Sequence, residues 1–154
     1  MIQLILILHV LVGAALLGAL THQAFAAGRR PTAPAKTFVG RFRGVNSPTF
    51  TNVVCLLYAV SVLLGALLYP RYRIDVRPLL EDMQLRAANG LFETKEHFAA
   101  VGLGLLPAYW LFWRQPLTLE HAATRKYLTW ILAFTAWFNF LVGELLNNIR
   151  GIFP

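Results

Sequence analysis

The chain has 154 residues, 57% of them hydrophobic and 14% charged, with a formal net charge of +7. A soluble domain of this length has too much surface for its volume to hide so many apolar side chains, so the composition excludes an ordinary water-soluble globule and points to a bilayer as solvent. One cysteine, Cys55, excludes a disulfide framework and a cysteine-based metal centre within the chain.

The mean hydropathy of +0.56 agrees with a lipid environment. A spanning helix needs about 20 consecutive, mostly apolar residues. The first such run is residues 2–26, IQLILILHVLVGAALLGALTHQAFA. Its Ala24-Phe25-Ala26 end resembles a small-residue cleavage site. The basic residues that open a secretory signal are missing, so the segment reads as a membrane helix. The connection over residues 27–48 carries Arg29, Arg30, Lys36, Arg41 and Arg43 and no acid. It suits anionic headgroups or a neighbouring subunit.

The second run is residues 49–69, with Tyr69 and Tyr72 at an interface. In the following loop, 70–96, five basic residues accompany five acids. Asp75 ahead of Pro78 predicts the start of a short helix. Leu79, Leu80, Met83 and Ala87 then share one face, and Asn89-Gly90 predicts its stop. This is an amphipathic helix for the membrane surface or a partner. The third run is residues 94–113. It contains Pro107, which can kink it, and ends in Trp110 and Trp113. The loop at 114–126 holds Arg114, Arg125 and Lys126 against Glu120. The fourth run is residues 127–148. No internal repeat or low-complexity tract interrupts this order.

The expected fold is an all-α integral membrane protein. One domain, 1–154, holds four transmembrane helices in a bundle, with a short amphipathic helix in the 70–96 loop. The basic loops at 27–48 and 114–126 belong on the cytoplasmic side, which puts both termini outside. A bacterial inner (plasma) membrane is the expected location. The partners expected are the lipid bilayer and other membrane subunits. Nucleic acid is not expected, because no basic stripe alternates with exposed aromatics.

That topology gathers His9, Glu93, Glu96, His97 and Glu144 at the outer end of the bundle. Polar groups at membrane depth are costly and face the bundle interior or water. One reading is haem b bound between His9 and His97, with Gly13 and Gly104 on the same helical faces leaving room for the macrocycle. The arrangement resembles four-helix membrane b-type cytochromes in its architecture and its two histidines. Glu93, Glu96 and Glu144 would then be supporting or proton-linked groups. A second haem between His22 and His121 is disfavoured, because His121 sits in a short connection. A mixed site for iron, copper or zinc from His9, Glu93, His97 and Glu144 is a further option.

No serine has a base at recognisable spacing, and Gly102 and Gly104 lack the Lys-Ser or Lys-Thr of a phosphate loop. A hydrolase or transferase is therefore not indicated. The expected function is a small membrane subunit of a redox or respiratory-type complex, more readily part of an enzyme assembly than an enzyme alone. The alternatives are a non-catalytic scaffold subunit and a proton or ion transport protein.

Overall fold

A computed structural model describes residues 1–27, 44–116 and 118–152, and among them every regular element is helical. The five basic residues expected to mark the cytoplasmic side, Arg29 to Arg43, lie outside the described residues. Helix α1 covers Ile2–Ala26, as the apolar run predicts. A 3-10 turn, Gly44–Asn46, leads to α2, Pro48–Arg71. Ser47 starts α2: its extended backbone lets Oγ accept from the Phe50 N–H at 3.1 Å, and Pro48 occupies the first turn, where no N–H is needed.

The 70–96 segment differs from expectation in two ways. Asp75 does not cap a helix. It pairs with Arg71 at 3.0 Å, while α2 passes through a π turn, Tyr72–Val76, into α3, Arg77–Asp82, with Pro78 in its first turn. Nor does Asn89-Gly90 end the helix. The break comes earlier, where Leu85 N donates to Leu80 O at 2.8 Å and Gln84 N to Glu81 O at 3.0 Å, with Gln84 left-handed at φ 58°. This is a Schellman-type stop built on glutamine. Asn89 and Gly90 instead lie inside α4, Arg86–Phe112, because buried Asn89 accepts a 2.8 Å hydrogen bond from Tyr72 Oη.

The last helix, α5, covers Leu119–Ile152. It begins before residue 127 because Thr118 Oγ1 accepts from the His121 N–H at 3.2 Å, an N-cap the apolar pattern does not reveal.

Among the described residues, three helical stretches are long and apolar enough to cross a membrane: Ile2–Ala26, Pro48–Asp82 and His121–Ile149. Helix α4 is not among them, since Arg86, Glu93, Lys95 and Glu96 occupy its first half. Consecutive long helices are neighbours, and α5 closes the ring against α1. Helices α1 and α4 therefore face each other diagonally, as do α2 and α5. The outward faces carry Leu4, Leu11, Leu63, Phe134 and Leu141, all exposed. Such faces suit lipid rather than water.

The half of the bundle near the C-terminal end of α1 is tightly closed. Leu16, Leu20, Val54, Leu106, Tyr109 and Leu132 form its core. Fully buried Gln23 donates to Val45 O at 3.0 Å and to Thr51 Oγ1 at 3.3 Å, and accepts from Tyr109 Oη. Trp113 Nε1 donates to Thr129 Oγ1 at 3.2 Å. Buried Arg125 donates to the carbonyls of Phe112, at 2.7 Å, and Gln115, and lies over the Trp113 ring. The guanidinium thus ties the last carbonyl of α4 to the turn that follows it, where Phe112 O also accepts from the Gln115 N–H at 3.3 Å.

Candidate functional site

The opposite half is hollow. A cavity of about 360 Å³ lies between all four long helices, beside the first turns of α1. Helix α1 presents His9, Gly13 and Leu16 to it, at i, i+4 and i+7, and buried Leu20, Gln23 and Ala24 continue the stripe. Helix α2 contributes Tyr58, Ser61 and Gly65. The floor is Tyr58, whose ring lies so close to Gly102 of α4 that a Cβ there would collide with it. Tyr58 Oη donates to the Ala99 carbonyl at 3.3 Å.

One wall is aromatic. Tyr72 and Phe92 stack with centroids 3.4 Å apart and planes 6° from parallel. The Lys95 ammonium sits 4.5 Å from the Phe92 centroid and pairs with Glu96 at 2.5 Å. On α5, Asn139, Gly143 and Glu144 face the same space, with Glu144 exposed at its mouth.

His9 is half-buried and leans on α2. A Cβ at Gly65 would lie 3.3 Å from His9 Cε1, so the missing side chain is what admits the ring. The imidazole stands beside the Ser61 backbone. Its Nδ1 is buried and has no hydrogen-bond partner; among the described residues, Asn46 Oδ1 is the other such side-chain atom.

The residues singled out in the sequence divide into two groups. His9, Gly13, Glu96 and Glu144 meet at the cavity. Glu93, His97 and Gly104 do not. They share a face of α4, as their spacing indicates, but that face is exposed. Glu93 pairs with Arg77 at 3.2 Å, and His97 Nδ1 lies 2.7 Å from the Glu93 carbonyl oxygen. The rotation of α4 is set by Ala88, Asn89, Gly102, Leu106 and Tyr109, which are buried. That stripe turns Phe92, Lys95 and Glu96 inward. Phe92, Lys95, Glu96 and Ala99 stand at i, i+3, i+4 and i+7, a spacing that signals a shared face. The acidic and basic character of Lys95 and Glu96 hides it from a search for apolar positions.

Among the described residues, no three His, Cys, Asp or Glu side chains stand together as a metal site, so the mixed site from His9, Glu93, His97 and Glu144 is not assembled. His22 is exposed, while His121 packs edge-on to Phe112 at 5.8 Å. Compared with protein-family models, with curated proteins and with solved structures, the chain matches none.

Proposed function

We propose that the chain is a small four-span membrane subunit of a redox or respiratory-type complex, and that its outer-half cavity holds the redox-active group. The observation that carries this reading is the buried, unpartnered Nδ1 of His9 in a cavity shared by all four long helices. Leaving such an atom unsatisfied costs about 1–3 kcal/mol. An ionisable residue held at membrane depth marks a functional site by default, and imidazole is a common ligand of redox metals.

The fourth span is α4. Two helices long and apolar enough to cross a membrane flank it, and its apolar half runs alongside them. Both termini lie on the outer side of a bacterial-type inner membrane, from the basic connections. Haem b held by His9 and His97 would require α4 to rotate as well as the His97 ring to leave the Glu93 carbonyl, because His97 stands on the exposed face of that helix. Gly13 would then border the macrocycle.

The test is a reduced-minus-oxidised visible spectrum of the detergent-purified protein, expressed with haem supplied, beside His9→Ala and His97→Ala. A b-type signal lost in both variants is the expected result for haem between the two histidines. A signal lost only in His9→Ala reassigns the second ligand. A featureless wild-type spectrum removes haem from the isolated chain.

A transport reading draws on Glu144, an acid at the mouth of the same cavity. It predicts that Glu144→Gln abolishes proton flux in liposomes while the bundle still assembles.

A further inference from the structure

The hollow half carries charge that lipid cannot solvate. Lys95 and Glu96 form an ion pair on the cavity side of α4, with side chains 15% and 36% exposed. Ionised groups at membrane depth are retained where they meet partners or water. Ser61, Asn139 and Asn147 add neutral polar groups from α2 and α5 to the same lining. A cavity stays dry when its walls are apolar and hydrates when they are polar and it is roomy. At about 360 Å³ this one has space for several waters, each taking roughly 30 Å³.

The ionisable groups run from the surface inward. Glu144 is exposed at the mouth, near the end of α5. Glu96 faces the same space from α4, and His9 faces it from α1, about two turns inside that helix. Among the described residues, Tyr69 and Tyr72 of α2, Lys95 of α4 and Tyr58 of the floor complete the titratable lining. Beneath the floor, buried Leu20, Leu106 and Leu132 fill the bundle axis, and none can carry a proton.

We propose that the cavity is a hydrated, one-sided proton vestibule. His9 takes up and returns a proton along the water that meets Glu144 and Glu96, and only from the face at which α1 begins and α5 ends. The imidazole gains one proton and one positive charge, and the bulk on that face loses one proton. Either ring nitrogen can serve, so the route is independent of the His9 tautomer. The inference goes beyond the redox reading and does not rest on it: the vestibule is a property of the chain before any group binds. A redox group seated there would exchange its protons with that face alone. Unlike a transport protein, the bundle would exchange protons without net flux.

The test uses the full chain, made without added haem and reconstituted in one orientation in proteoliposomes. A background of His22→Gln, His97→Gln and His121→Gln leaves His9 as the one isotope-labelled imidazole for NMR. The pH on one side is stepped from about 8 to about 4.5, across the ordinary imidazole range, while a dye tracks the pH of the other side. The His9 signal should convert to imidazolium when the face at which α1 begins is acidified, and stay unchanged when the opposite face is. Proton flux should match that of protein-free liposomes. Magnetisation transfer from water to the ring should be strong. It should fall several-fold in Gly143→Leu, or in Gly13→Leu if the first variant fails to fold, because a side chain at either position enters the open space. Conversion driven from the opposite face or from both, conversion from neither, net flux through the bundle, or water transfer that is absent or survives filling overturns the proposal. Any of these results beside a haem spectrum lost in His9→Ala sinks the vestibule alone and leaves the redox reading standing.

Discussion

Gln84 holds a left-handed backbone at the end of α3, a conformation that costs a residue with a Cβ about 1–2 kcal/mol. Its one local compensation is a 3.3 Å hydrogen bond from Nε2 to Glu81 O. Gln84→Gly should therefore stabilise the bundle by roughly 0.5–1 kcal/mol, net of the greater freedom glycine has in the unfolded chain. A rise in thermal midpoint in detergent checks this. The glycines make a sharper contrast. Gly102→Ala should destabilise by about 1–3 kcal/mol, because the added Cβ meets the Tyr58 ring. Gly13→Ala and Gly143→Ala should raise the midpoint slightly, by about 0.5–1 kcal/mol of stability, since their Cβ atoms enter open space and alanine is the better helix residue. Equal losses at all three positions would deny the cavity. At this scale the sequence was informative about pairs on one helix and silent about which way they turn. His9 and Gly13 share the inward face of α1, whereas His97 and Gly104 share the outward face of α4.

Helix α1 was legible end to end, because an uninterrupted apolar run needs no special start or stop. Helices α4 and α5 were legible in their apolar parts only. Their first turns are polar and are held by particular contacts: Tyr72 to Asn89 for α4, and Thr118 to His121 N for α5. Neither contact has a periodic signature. Asn89-Gly90 reads as a stop by local chemistry, and a tertiary hydrogen bond overrides it. The junction between α4 and α5 depends on Arg125, which joins the Phe112 carbonyl at the end of α4, the Gln115 carbonyl in the turn after it and the Trp113 face. Arg125→Ala should cost about 1–3 kcal/mol by leaving the Gln115 carbonyl unsatisfied and Phe112 O with only the 3.3 Å bond from the Gln115 N–H. Loss of slow hydrogen exchange at the α4–α5 junction, with little change beside His9, would locate the effect. Uniform loss across the bundle would argue against this local role.

The four long helices are joined unevenly along their length. Gln23, Thr51, Tyr109, Trp113, Thr129 and Arg125 tie them together at one end. At the other end, His9, Lys95, Glu96 and Glu144 surround open space. Apolar side chains cover the outside. The all-helical class with apolar helices long enough to cross a membrane was readable from composition, because a chain of this length cannot bury so much apolar surface by itself. The closed and hollow halves were not, because both depend on how far each helix is rotated, which stripes of small and polar residues determine jointly.

The central claim, a cavity enclosed by a lipid-facing bundle, is tested most directly by single-cysteine labelling in proteoliposomes. In a Cys55→Ser background, Gly13→Cys and Leu11→Cys sit at nearly the same depth on α1. Gly13 lines the cavity, and Leu11 faces outward with 61% of its surface exposed. A small water-soluble thiosulfonate should modify the cysteine at position 13 and spare the one at position 11. Equal modification of both, or modification of position 11 alone, would contradict the account.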